Sequence, residues 1–328
     1  MTVAIFLGAL LAAMAIGIPI AYSLLVCGVA LMLYMGNFDA QILAQNLIEG
    51  SNSFPLLAVP FFMLAGEIMN VGGLSRRIVN LAMTLVGHLR GGLGYVVILA
   101  AVMMAALSGS AVADTAALAA LLLPMMVAAG HDKAKAGGLI ASAGIIAPII
   151  PPSIGFVIFG VAANVSITKL FLAGIVPGLL MGASIAVAWY IVAKRENVKP
   201  PPKASNTERL KALRDSTWAL VLPLIVLVGL KMGVFTPTEA AVVAAVYALF
   251  VATVIYRELK LSQLYHVFVS AAKTTSVIMF LVAAAMVSAW LITIANLPQE
   301  LIALLQPDRK STRLNSSHER LSRMPSSA

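Results

Sequence analysis

The chain of 328 residues is 61% hydrophobic and only 11% charged, with a mean hydropathy of +0.98, whereas a soluble domain carries about 25% charged residues. With about 20 apolar residues needed per crossing, most of residues 2–305 is committed to a bilayer, which excludes a separate soluble domain and predicts an all-α, polytopic membrane protein. The net charge of +9 does not call for nucleic acid, because residues 307–328 hold five Lys or Arg against two acids and the remaining excess lies in short loops beside spans, the mark of a cytoplasmic face.

Residues 2–35 form an apolar run too long for one perpendicular helix. Gly17-Ile18-Pro19 divides it, so it is either a kinked helix or two segments. No basic region precedes it, which disfavours a cleaved signal peptide. Cys27, the one cysteine, sits in this run and reads as packing; no disulfide framework or thiolate metal site is available. Residues 36–53 carry Asp39 and Glu49 and no basic residue, and read as a loop on the outer side.

Pro55 and Pro60 suit a helix start, and Arg76, Arg77 and Arg90 place the region that follows inside. Glu67 is the one acid of this span. An intramembrane carboxylate is a functional candidate by default, but Glu67 lies near the basic end, and pairing with Arg76 or Arg77 is the favoured reading.

Residues 93–129 are apolar except for Ser108, Ser110, Asp114 and Thr115. Their first arm, 93–107, makes about 22 Å of helix, short for a crossing, and both flanks are basic. The two ends therefore share a side, and a re-entrant hairpin with Ser108-Gly109-Ser110 at its tip fits better than two spans. The tip opens a helix whose first N–H groups lack intrahelical partners and suit an anion, while the carbonyls closing the preceding arm suit a cation. Ser108 or Ser110 could serve only as a cap. Asp114, in the first turn, is open between dipole stabilisation and ion coordination.

A second break lies within 137–162. Pro148, Pro151 and Pro152 remove three amide donors and obstruct the helix before them, and Ser153-Ile154-Gly155 follows at the restart. Kinked packing is the plain alternative, but unwound backbone at membrane depth is tolerated only where it is buried in protein or lines a hydrated cavity. In secondary transporters such breaks hold ion and substrate.

Residues 194–215 carry seven basic and three acidic residues with Pro200-Pro201-Pro202 and read as a cytoplasmic linker. Beyond it, Thr236, Pro237 and Glu239 form a capping box, and 267–296 is the last apolar stretch. Gly17-Ile18-Pro19 resembles Gly233 to Pro237, and the stretch after each again resembles its partner. The chain thus divides into a first repeat (1–193), the linker, and an incomplete second repeat (216–306). A full second repeat would add another hairpin and another proline break after 305. Residues 307–328, Ser- and Arg-rich and without apolar period, read as a non-native tail resembling translated adapter sequence, and the chain reads as C-terminally truncated.

Several motifs in order carry a resemblance: Phe61 to Asn70 with Gly72-Gly73-Leu74, then Leu107-Ser108-Gly109-Ser110, Ile150-Pro151-Pro152-Ser153-Ile154, and Gly233 to Ala241. Together, from the N-terminus to about residue 306, they resemble the large membrane subunit (DctM-like) of TRAP transporters, within an ion transporter superfamily. The resemblance implies an elevator-type fold with inverted repeats, in the bacterial inner membrane. It implies sodium-driven uptake of an organic acid, such as a C4-dicarboxylate or a sugar acid like sialic acid. The implied partners are a small four-helix membrane subunit and a periplasmic binding protein. The sodium site it implies is Ser108, Gly109 and Ser110 with Pro151, Pro152 and Ser153, with Asp114 and Gly155 as further lining. Without a Walker motif, ATP is not implied. A stand-alone carboxylate permease or antiporter of the same superfamily is the alternative. An intramembrane enzyme is remote: His88, His131 and His266 fall in loops or at span ends, and no span holds an acid pair.

Overall fold

A computed structural model describes residues 2–196, 198 and 200–305; the expected tail, 307–328, lies outside them. In chain order the first helices are α1 (Thr2–Ala15), α2 (Ile20–Tyr34), α3 (Ala40–Ser51), α4 (Ala58–Val71, preceded by a 3-10 turn over Phe54–Leu57) and α5 (Leu74–Val86). The next are α6 (Gly92–Ser108), α7 (Ala111–Ala128), α8 (Lys133–Gly144), α9 (Ile154–Ala162) and α10 (Ile167–Arg195). The last are α11 (Asn206–Lys231), α12 (Pro237–Phe250, prolonged by a π turn over Val251–Ile255), α13 (Leu261–Ile294) and α14 (Leu297–Leu305). Among the described residues six helical stretches are long and apolar enough to span a bilayer. The protein is therefore a polytopic, all-helical membrane protein.

Among the described residues one compact unit contains 2–52 together with 279–305. The open question over residues 2–35 resolves into two helices, because Gly17 takes φ +90° and Pro19 opens α2. Phe6, Cys27, Leu31, Val287 and Leu291 form its core, and Cys27 is packing as expected. The expected acidic loop, 36–53, is instead mostly helix. Asp39 caps α3 by accepting from the Gln41 and Ile42 amides at 2.7 and 3.2 Å, and Leu43 and Leu47, one turn apart, pack on that core. An acid that looked like loop composition is a helix start.

The other unit, 53–278, holds both breaks. α4 packs along α12 and α5 along α11. The α4–α12 contact is built from small residues: Ala58 and Ala65 face a helix whose Ala240, Ala241, Ala244 and Ala248 are all buried. Such residues let backbones approach in a medium without a hydrophobic drive between helices. α12 opens with the expected capping box, Glu239 accepting from the Thr236 amide at 2.8 Å. The linker is shorter than the polar run 194–215. α10 persists to Arg195, and a second capping box, Ser205 with Glu208, starts α11 at Asn206. α6, α7 and α8 pack on one another, and α10 packs on α6, α8 and α9.

Candidate functional site

α6 and α7 are joined by a turn at Gly109, with α7 itself long and apolar enough to span a bilayer, and the break is an irregular segment of turns over 145–153 between α8 and α9. α8 stops at Gly144, four residues before Pro148, because a helix cannot accommodate the three prolines that follow. Pro151-Pro152 is a cis peptide, and Ser153 caps α9 by accepting from the Phe156 amide at 3.3 Å.

The two interruptions meet. Gly109 closes α6 in the left-handed region at φ +61°. A Cβ there would collide with the Pro152 carbonyl oxygen and lie 3.1 Å from Ser153 Cα. Pro151, Pro152, Ser153, Ser108 and Gly109 are all buried. The contact lies inside protein, not against lipid, as unwound backbone at this depth requires.

The hydroxyls at the junction are already oriented. Ser108 Oγ donates to Asp114 Oδ1 and accepts from the Ser110 amide at 3.2 Å. Ser153 Oγ donates to the Pro148 carbonyl and accepts from Phe156. Each hydroxyl has committed its proton and one lone pair, leaving one lone pair to offer. Ser110 Oγ accepts from the Ala113 amide at 3.4 Å, so it is at least the N-cap of α7. Gly155 sits in the first turn of α9, and a Cβ there would be 3.6 Å from Ser153 Oγ. Asp114 is 1% exposed, and its second oxygen, Oδ2, has no hydrogen-bond partner among the described residues. The donor set is therefore hydroxyl and carbonyl oxygen with one carboxylate. Among the described residues no three His, Cys, Asp or Glu converge as transition-metal ligands would. Oxygens of this kind fit a hard cation.

Close-packed glycines hold the junction. A Cβ at Gly66 of α4 would be 3.1 Å from Ser108 Cβ, and one at Gly144 would strike Thr115 of α7. On α10, Gly174 lies under the Ile149 carbonyl and the Phe156 ring, Gly178 under Ile150, and Gly182 beside Val102. The four-residue spacing of these glycines is visible in the chain, yet its meaning depends on knowing that the unwound segment lies across that face.

The family model described as the tripartite ATP-independent periplasmic transporter, DctM component, matches residues 7–314. The chain belongs to the DctM family. It is 61% identical over 314 residues (96% of this chain, 74% of the relative) to the 2,3-diketo-L-gulonate TRAP transporter large permease YiaN of Escherichia coli K12. It is 40% identical over 285 residues (87% and 67%) to the sialic acid TRAP large permease SiaM of Vibrio cholerae. With the C4-dicarboxylate TRAP large permease DctM of Pseudomonas aeruginosa the identity is 41% over 279 residues (85% and 65%). A DctM-family chain is a transporter permease and not an enzyme.

Glu67 departs from the favoured reading. It accepts a hydrogen bond from Ser270 Oγ at 3.2 Å in place of an arginine. The turn at Gly73, φ +77°, sends Arg77 to Glu258 at 2.7 Å and over the Tyr256 ring at 3.7 Å. The residues missed altogether are polar pairs at the ends of spans. His131, 4% exposed, meets Glu196 at 2.7 Å, and Lys135 meets the other oxygen of the same carboxylate at 3.1 Å. Burial works to raise the Glu196 carboxyl, but the hydrogen bonds and charges of His131 and Lys135 prevail and hold it below the ordinary carboxylate range. Sixty-five residues separate His131 from Glu196, and no local pattern announces the pair.

Proposed function

We propose that this DctM-family permease couples the uptake of an organic acid to sodium across the bacterial inner membrane. On this reading a periplasmic binding protein delivers the solute and a small four-helix membrane subunit completes the transporter. The observation that carries the proposal is the seating of Gly109 directly on the Pro152 carbonyl, which brings the C-terminal end of α6 to a segment from which three prolines remove amide donors. A cation is the species such converging negative dipoles favour. Ser108, Gly109, Ser110, Pro151, Pro152 and Ser153 are the proposed sodium ligands, through hydroxyl and carbonyl oxygens. Asp114 supplies negative charge behind Ser108, and Gly155 leaves the first turn of α9 open. Sodium bound there offsets the charge of an anionic solute, and alternating access follows when the site-bearing domain moves against the scaffold in the manner of an elevator.

The named relatives handle a diketogulonate, sialic acid and C4-dicarboxylates, all carboxylic acids. The 61% identity to the diketogulonate permease favours a sugar acid as solute. The test is uptake of labelled sugar acid in cells carrying the complete transporter. Ser110→Ala and Pro152→Ala are expected to abolish sodium-dependent uptake while membrane insertion stays normal. Unchanged sodium dependence in either variant removes that residue from the site. Uptake that persists without the periplasmic protein would favour the stand-alone permease.

A further inference from the structure

Where α5, the first turns of α11 and the end of α12 meet, they surround a cavity of about 460 Å³. The basic residues gathered there mark the cytoplasmic end of the spans. One wall is made from unusual backbone. Gly73 stands at φ +77°, where a Cβ would strike the Glu258 carboxylate and lie 2.8 Å from Arg77 Nη1. α12 closes in the π turn over Val251–Ile255, and Arg257 beyond it takes φ +53°. Together these turns set Tyr256 and Glu258 against Arg77, whose guanidinium lies 3.7 Å over the Tyr256 ring and 2.7 Å from Glu258. Ser216 Oγ donates to the Arg77 carbonyl at 3.0 Å and the Tyr256 hydroxyl to the Asp215 carbonyl at 2.7 Å, so the three helices are fixed around the cavity. Costly backbone and π turns of this kind collect at ligand clamps.

The charges lining the cavity are unequally engaged. Glu258 holds Arg77, and Glu208 accepts from the Ser205 amide at 2.7 Å as part of its capping box, which leaves Asp215 as the one acid not so used. Arg76 and Lys211 are exposed, and their side chains have no partner among the described residues. The other large cavity near the span ends, beside His131 and Lys135, offers no such free charge: both residues hold Glu196. Trp189, whose ring meets that of His131 with centroids 5.6 Å apart, donates its N–H to the Gly91 carbonyl at 2.8 Å. Depth decides the ligand. Trp218 begins the apolar stretch of α11 and Tyr256 closes that of α12, the places where amphipathic rings sit at the level of lipid headgroups. Lys211, Asp215 and Trp218 follow at helical spacing on one face of α11, and Trp218 is exposed.

We propose that this cavity is a headgroup site for an anionic phospholipid of the cytoplasmic leaflet, with Arg76 and Lys211 reaching the phosphate beside the fixed Arg77 and the acyl chains lying past Trp218. Basic pockets between spans on this side suit such headgroups. None of these residues is a proposed sodium ligand, so the site stands or falls apart from the transport reading.

The test titrates the detergent-solubilised full chain with phosphatidylglycerol and follows the melting temperature. The parent is expected to melt several degrees higher as lipid is added. Arg76→Gln with Lys211→Gln is expected to melt like the parent without lipid and to need several-fold more lipid for half the rise. Lys133→Gln with Lys194→Gln removes the same charge from exposed positions on α8 and α10 and is expected to titrate like the parent. Equal titration of the parent and the cavity variant overturns the proposal. An equal loss in the control pair does so too, because it reduces the effect to attraction between a charged surface and the micelle. Phosphatidylcholine, with the same chains but no net charge, and glycerol phosphate, with the charge but no chains, are both expected to leave the parent unmoved. A comparable rise with the first would mean that anionic charge is not recognised, and with the second that the cavity takes free phosphate; either result refutes the lipid site.

Discussion

At Gly109 a missing side chain decides whether two segments touch. Alanine there carries about 1–2 kcal/mol for the left-handed backbone, and its methyl group would also meet the Pro152 carbonyl. Gly233 provides the control, since it takes φ +72° with nothing within 4 Å of a built Cβ. Gly233→Ala is expected to lose only the backbone cost by thermal melting and to keep sodium-dependent uptake, and Gly109→Ala to melt lower still and to lose that uptake. Equal uptake in the two would mean that the tip and the break need not touch.

Glu196 permits a prediction in pH. Its carboxyl is held below the ordinary range by His131 and Lys135 against the effect of burial, so ionisation is more favourable folded than unfolded. The resulting stability is complete above the unfolded carboxylate value of about 4.3 and is lost as pH falls through the lower folded value. The difference in melting temperature between the parent and Glu196→Gln should therefore stay flat from about pH 8 to about pH 5 and close only in stronger acid. A difference that persisted unchanged in stronger acid would separate the effect from the Glu196 carboxyl.

Among the elements, α10 does the least conspicuous work. Its Gly174, Gly178 and Gly182 form a flat track on which the unwound segment lies, and Ile146, Ala147 and Ile150 of that segment pack with Ala105 of the hairpin into one core cluster. Gly178→Leu drives a branched side chain into Ile150, an overpacking that costs about 1–3 kcal/mol. It is expected to lower the melting temperature and weaken sodium-dependent uptake together. Gly137→Leu, at a position with nothing within 4 Å, should do neither.

The hairpin and the break were legible because each breaks a local rule: Ser-Gly-Ser and three prolines have no place inside apolar helices unless the backbone is used. The capping box at Thr236 and Glu239 was legible for the same reason, as a rule kept. What escaped was information that exists only between elements. Asp39 resembled loop composition until Leu43 and Leu47 had a core to meet. Glu67 was assigned to the nearest arginines along the chain, whereas Ser270, 203 residues away, is nearer in space. The glycine track on α10 and the Glu196 clamp belong to the same class, since close approach and pairing over long separations leave no periodic trace.

For the whole molecule, the cation proposed at the junction of hairpin and break would link folding to ion occupancy. A cation that binds the joined state but not the unfolded chain stabilises it by about 2.7 kcal/mol at a hundred times its dissociation constant. The detergent-solubilised protein is therefore expected to melt at a temperature that climbs with sodium chloride and stays level with choline chloride at equal ionic strength. Ser110→Ala and Pro152→Ala should flatten the sodium series, while Trp189→Phe, whose side chain lies away from the oxygens, should leave its slope intact. Because melting needs neither solute nor binding protein, this series separates cation binding by the permease from every later step of uptake. A sodium series indistinguishable from choline in the parent would mean that Gly109 and Pro152 are joined for packing alone.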